Sequence, residues 1–321
     1  MRVLITGMGG ELGTRVTNLI EADERFGDIV GIDGYPPRRR TTRARFHLVD
    51  PRDRRKAVAL ITEFDPTLIL HLGVYEPNAH FDPTQARLNS GASAVSVLGV
   101  ATSCPSLRHI VVRSGIEVYG RGRGAPTRPD EGAPVDPTTA FGRSLAHVEQ
   151  VAVETGAVTD VGVTRLRFGP IVGPSFPSPL GRYLRLPVVA VSPLVELPFA
   201  LVHQEDAAEA IVAAAHRTHD GPLNVVGSGA VLPSQAVRQG GRLPVPVAGP
   251  GWWVARVAAE LLGAPIPPHT AELLVRGAVA DGARARRALG IEPRPTAEVV
   301  AQLYGWGDIS QLSSTAGKAT T

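Results

Sequence analysis

Residues 3–13 read Val-Leu-Ile-Thr-Gly-Met-Gly-Gly-Glu-Leu-Gly, and no other stretch constrains the fold as strongly. Four residues suited to a buried strand run straight into glycines, and an amphipathic pattern begins at Glu11. A chain that turns from strand to helix in so few residues needs Gly7 for the tight bend. It needs Gly10 so that backbone can approach a pyrophosphate, and Gly13 so that helix and strand pack closely. The helix start would then offer free N–H groups and a favourable dipole to phosphate. Glycines alone also fit a flexible turn; the strand before them and the helix after them supply the context.

The same alternation continues along the chain. Short apolar runs at 2–6, 29–33, 46–49, 67–72, 109–113 and 162–166 alternate with helical periodicity at 11–24, 52–63, 84–103 and 139–155. This predicts an α/β fold, a doubly wound parallel Rossmann sheet over 1–172. Residues 199–228 return to it, with strands at 199–202 and 223–226 around a helix at 205–216. The proline- and glycine-rich stretch 169–198 reads as an irregular excursion. From Leu232 the pattern is helical, at 252–262, 269–277 and 296–304. Residues 173–198 and 229–306 thus form a smaller, mostly helical C-terminal lobe, and 307–321 a disordered tail poor in apolar residues.

Composition narrows the partners. The chain is 43% apolar and 20% charged with net charge +3, which points to neither a nucleic-acid nor a membrane partner. The apolar stretch 183–202 carries Arg185, Glu196 and three prolines, so it is no membrane span. Cys104 is the single cysteine, and the N-terminus lacks a signal-peptide layout; a cytoplasmic protein is expected.

Asp33 ends the second strand, 20 residues beyond Gly13, where a carboxylate can accept hydrogen bonds from an adenine ribose. Arg38, Arg39, Arg40, Arg43 and Arg45 follow, as a holder for a 2′-phosphate or as a solvated basic loop. Asp33 would repel that phosphate, which favours NAD and leaves NADP as the alternative.

These features, with others in order behind them, resemble the extended short-chain dehydrogenase/reductases, specifically the NAD-dependent epimerase/dehydratase family acting on nucleotide sugars. The carriers are Thr6-Gly7-x-x-Gly10-x-x-Gly13, Asp50-Pro51-Arg-Asp53, His71-Leu72-Gly73-Val74, Asn89, Val118-Tyr119-Gly120, Arg167 to Pro174, His203-x-x-Asp206 and Ala280 to Pro293. The resemblance implies a cofactor site formed by Gly7, Gly10, Glu11, Leu12, Gly13, Asp33, Asp50, Pro51, Leu72, Gly73, Asn89 and Ser114. It also implies a homodimer paired through the helices at 84–103 and 139–155, where Ala92, Ala94, Val95, Val97, Leu98, Ala146, Val148, Val151 and Ala152 leave a stripe to cover.

The family's catalytic Tyr-x-x-x-Lys falls on Phe141 and Leu145, and its Ser/Thr position on Gly115. Phe141 has no proton to transfer and Leu145 no charge to lower a neighbour's pKa or hold a ribose. Lys56 and Lys318 are the only lysines and neither lies in this segment; Arg143 is two residues out of register, on another helical face. Glu117 is the one acidic residue left from the dehydratase-type motif and the candidate catalytic group, against a plain hydrogen-bonded role in a pocket wall. The nine histidines show no metal-ligand spacing, so no metal is expected. A non-catalytic or diverged cofactor-binding or redox-sensing protein follows, with an enzyme on a nucleotide sugar or similar small substrate, using Glu117, as the alternative. Trp252 and Trp253 read equally as core or as a ligand platform.

Overall fold

Strand β1 (Val3–Thr6) buries all four of its side chains, as a central strand covered on both faces must. The structure is a computed structural model and describes residues 1–50, 52–78, 82–193 and 196–305. In chain order β1 is followed by α1 (Glu11–Glu21), β2 (Ile29–Asp33), β3 (Arg45–Leu48), α2 (Arg54–Phe64), β4 (Leu68–His71), α3 (Pro83–Leu98), β5 (His109–Gly115), α4 (Ala140–Thr159) and β6 (Gly162–Phe168). Then come β7 (Ile171–Val172), α5 (Pro179–Leu184), β8 (Val188–Val191), β9 (Val202–His203), α6 (Gln204–His216) and β10 (Gly221–Val225). The last elements are α7 (Pro233–Gln239), β11 (Leu243–Pro246), α8 (Gly251–Leu261), α9 (Pro268–Arg276), α10 (Ala283–Leu289) and α11 (Thr296–Tyr304).

Seven strands form one sheet in the order β10-β6-β5-β4-β1-β2-β3, every neighbouring pair parallel. Strand order reverses between β1 and β4, the point at which a doubly wound sheet opens a crevice beyond its carboxyl ends. Helix α1 turns Leu12, Val16 and Ile20 into the core, a four-residue spacing that keeps them on one face. Helix starts are fixed locally. Asp53 accepts from the Lys56 amide to begin α2. Asp82 accepts from the Thr84 and Gln85 amides ahead of Pro83 to begin α3, and Thr139 accepts from the Gly142 amide to begin α4.

Several expectations need correction. The stretch 169–198 is not wholly irregular: it holds β7, α5 and β8. Of the strand expected at 199–202, only Val202 joins a ladder, the short one of β9 with β7, while Phe199 makes isolated bridges to Val231 and Ala278; the seventh strand of the main sheet is β10. The 84–103 helix stops at Leu98, before Gly99, and a separate 3-10 turn covers Ala101–Ser103. A strand with prolines at 244 and 246 went unanticipated. It is possible because β11 pairs only with β8, leaving a free edge where missing N–H groups are tolerated. Trp253 is not core but 70% exposed on α8, and Trp252 beside it is half-buried. The 307–321 tail lies outside the described residues.

Helices α3 and α4 pack on each other. That contact and the sheet bury Ala94, Val97, Leu98, Val148 and Ala152, so of the apolar stripe expected to need a partner only Val95 is exposed. Among the described residues no helix is long and apolar enough to cross a membrane.

Candidate functional site

At the reversal of strand order lies a cavity of about 600 Å³, bordered by the β1–α1 turn, the end of β2, the segment after β4, Arg113 of β5, and Phe176 and Pro177. Its floor is the glycine turn. Gly7 has φ +71°, and a Cβ there would meet the Leu72 carbonyl carbon at 2.6 Å. A Cβ on Gly13 would meet Gly7 O at 2.0 Å, so Gly13 is what lets the helix pack against its own turn. Gly10 is the N-cap of α1 and brings no capping side chain. Among the described residues the amides of Glu11, Leu12 and Gly13 consequently have no hydrogen-bond partner. Three free N–H groups at the positive end of a helix dipole, lining an open cavity, form an anion site.

Asp33 closes one end of the cavity. It is 7% exposed, its Oδ2 accepts from the Gly9 amide at 2.9 Å, and its Oδ1 accepts from the Tyr75 hydroxyl at 3.3 Å. Burial pushes the carboxyl above its usual range, with the Gly9 bond opposing that shift. Gly9 was not among the expected site residues. A Cβ there would lie 2.0 Å from the Tyr35 carbonyl oxygen, so the turn and the end of β2 touch through bare backbone. The Gly9-Gly10 pair is the only sequence signal for it.

The cavity thus gathers Gly7, Gly10, Glu11, Leu12, Gly13, Asp33, Leu72 and Gly73. Asp50, Asn89 and Ser114 do not line it. The Asp50 carboxylate pairs with Arg52 at the surface, whose guanidinium holds it down to about 2. Asn89 accepts from Gln85 at 2.7 Å on its own helix. Ser114 donates to Glu149 Oε1 at 2.6 Å. Pro51 lies outside the described residues. Of the five loop arginines only Arg38 borders the cavity; Arg43 donates to the carbonyls of Glu21, Phe26 and Gly27, and Arg39, Arg40 and Arg45 are exposed.

The cavity's other end, at Glu76 and Arg113, adjoins a second cavity of about 40 Å³ where the expected catalytic positions converge. Phe141 and Leu145 are 9% and 1% exposed and wall it with Leu180 and Leu273. Gly115 is integral to this packing. A Cβ there would lie 2.3 Å from Glu117 Oε2 and 3.1 Å from Leu145 Cδ1. Gly115 and Leu145 are therefore fitted to each other and to Glu117: the leucine and the folded-back glutamate occupy the space beside Gly115. Burial raises the Glu117 carboxyl above its usual range, against the pull of Arg121 and His269.

Behind this wall Glu149 takes Arg167 in two hydrogen bonds, at 2.8 and 2.6 Å, and Arg167 donates to the Tyr119 hydroxyl at 3.0 Å. Tyr119 in turn donates to Asn224 Oδ1 at 2.7 Å. Tyr119 is thus structural, tying β10 to the end of β5, and Arg143 points outward to the Thr138 carbonyl. Among the described residues no group of three His, Cys, Asp or Glu residues could hold a metal ion.

Three polar residues at the junction escaped the sequence reading. Arg113 donates to the Val74 carbonyl at 3.0 Å. His269 of α9 places Nε2 3.1 Å from Glu76 Oε1 and its ring 4.7 Å from that of Phe141, tilted by 42°. An arginine inside an apolar strand was a signal for the first; nothing local marks His269, 193 residues from Glu76.

Comparison with known proteins agrees with this layout. Uncharacterized proteins of Mycobacterium tuberculosis and Mycobacterium bovis are 28% identical over 309 residues, covering 92% of this chain and 80% of theirs. A UDP-glucose 4-epimerase from Thermotoga maritima, solved with UDP-glucose, superposes with a TM-score of 0.74 at 15% identity over 97% of this chain and 100% of that one. A UDP-glucuronic acid 4-epimerase from Bacillus cereus, solved with NAD, gives 0.71 at 16% identity over 97% and 99%. A dTDP-glucose 4,6-dehydratase from Bacillus anthracis, also with NAD, gives 0.73 at 16% over 97% and 98%. These structures share the fold. Residues 3–226 match the NAD dependent epimerase/dehydratase family itself, and the chain belongs to that family.

Proposed function

We propose that this chain is a diverged NAD-binding member of its family, one that holds the dinucleotide but does not work nucleotide sugars through a tyrosine, lysine and serine. The cofactor half of the reading rests on the free amides of α1, which would take the pyrophosphate, and on Asp33, which would take the adenine ribose hydroxyls. Bound NAD supplies a hydride acceptor. With the adenosine end held at Asp33 on β2, the nicotinamide end would fall toward Glu76 and Arg113.

The mutual packing of Gly115, Leu145 and Glu117 carries the second half. Phe141 has no acid or base to offer, Leu145 no cation, and Gly115 no hydroxyl, with Glu117 Oε2 in the space where a side chain would start. Ligand pockets for drug-sized molecules span roughly 300–1,000 Å³, whereas the space left here is about 40 Å³, near the volume of one water. A sugar linked to a nucleotide does not enter such a space.

Calorimetry on ligand-free protein tests both halves. NAD or NADH should bind with micromolar or tighter affinity, and UDP-glucose should give neither heat nor turnover with the NAD-loaded protein. Absence of dinucleotide binding would remove the first half, and epimerisation or oxidation of UDP-glucose the second.

A further inference from the structure

The geometry points to a replacement catalytic centre, with His269 as acid/base, Glu76 as its positioning residue and Arg113 as a carboxylate anchor, acting on a small 2-hydroxy acid. This rests on the NAD-binding reading and adds the chemistry that would meet the cofactor. All three residues border the small cavity where it meets the large one, at the end away from Asp33.

A carboxylate only accepts, so the 3.1 Å contact with Glu76 Oε1 requires a proton on His269 Nε2, and in the neutral imidazole Nδ1 is then the basic nitrogen. Nδ1 has no hydrogen-bond partner among the described residues. The ring lies on Phe141, the residue at the tyrosine position, so His269 brings a base to the neighbourhood the tyrosine hydroxyl would have served. Arg113 spends one donor on the Val74 carbonyl, and no carboxylate lies within ion-pair distance of it among the described residues. Arg113 lines both cavities, and a guanidinium fork matches a carboxylate. Glu117 and Arg121 are the other charged groups beside His269, with Glu272 on the same helix. Burial raises the Glu117 carboxyl above its usual range, with Arg121 and His269 opposing the rise.

His269 Nδ1 would take the hydroxyl proton while the carbinol hydrogen left with its electron pair for bound NAD, the C–O bond becoming C=O, so that the products would be the 2-oxo acid, reduced cofactor and a protonated imidazole held by Glu76. A short acid such as glycolate or lactate would sit where the small cavity opens into the large one at Glu76 and Arg113.

The test uses the full chain loaded with NADH and oxalate as probe, because oxalate mimics the 2-oxo acid head and carries no side chain that size could exclude. Saturable binding by calorimetry is expected, weakened at least about tenfold in Arg113→Met and partly recovered in Arg113→Lys, each variant being titrated at saturating NADH. With NAD and glycolate or lactate, His269→Gln should lower turnover by about 100- to 10,000-fold. Glu76→Gln should shift the pH profile and lower kcat more than it raises KM. NADH binding without oxalate binding overturns this proposal and leaves the cofactor reading intact; failure of NADH itself to bind removes both. Oxalate binding that Arg113→Met leaves unaltered, or turnover that survives His269→Gln, also overturns it.

Discussion

Replacing Gly10 by alanine should separate cofactor binding from folding, because the two depend on different sides of that residue. Gly10 has φ −71° and ψ 164°, an extended conformation that alanine adopts freely. An added Cβ would have Gly7 O, at 3.4 Å, as its only neighbour within 4 Å, which is ordinary contact. Alanine is a poorer N-cap than glycine by about 0.5–1 kcal/mol, and a stiffer unfolded chain offsets about 0.4–1 kcal/mol of that. Stability should therefore barely change. The methyl instead stands in the cavity over the free amides of Glu11, Leu12 and Gly13. Displacing phosphate from one charge-assisted bond, worth about 1.5–3 kcal/mol, predicts roughly a 10- to 100-fold weaker dissociation constant for NAD. Titration calorimetry reads the affinity and thermal unfolding the stability. Gly13→Ala is the control: its Cβ would lie 2.0 Å from Gly7 O and 2.8 Å from Met8 Cα, so it should lose binding and about 1–3 kcal/mol of stability together. A Gly10→Ala protein that binds NAD like the parent would refute the assignment of this turn to the pyrophosphate.

Asp33→Ala should weaken NAD more than NADP, since it removes the ribose acceptor and leaves Arg38 at the cavity's edge; the reverse ranking in competition binding would mean that Arg38 reads a 2′-phosphate. Gly115→Ser should destabilise by about 1–3 kcal/mol through overpacking against Glu117 and Leu145, measured by urea denaturation, and unchanged stability would contradict the fitted packing. His71 is wholly buried and burial depresses its imidazole from 6.5 to about 4. The unfolded chain then binds the extra proton, so stability should fall by about 3 kcal/mol as pH drops from 6.5 to 4. Urea midpoints across that window should fall less steeply in His71→Gln, and parallel curves would exclude this origin. A homodimer through α3 and α4 remains our expectation, with Leu88, Val95, Val153 and Val158 as the large apolar side chains exposed there; a concentration-independent monomer mass by light scattering would dismiss it.

What the sequence determined by itself were the features written in short-range patterns. The turn at Gly7, Gly10 and Gly13 follows from steric demands a few residues apart, and the first six strands from apolar runs whose length and spacing are local. The replaced Tyr-x-x-x-Lys could be read by register alone, because helix α4 keeps the spacing between Phe141 and Leu145. Tertiary structure alone decided how those losses fit together. Ser114 has the residue type for a cofactor contact, yet its hydroxyl turns to Glu149, since a serine follows whichever partner packing brings within reach. Gly9 matters because the end of β2 arrives against it, and Gly115 because Leu145 and Glu117 fill the space beside it. His269 meets Glu76 and Phe141 only when α9 packs against α4, a juxtaposition no local periodicity encodes, because side-chain contacts between distant segments depend on the packing of the whole chain.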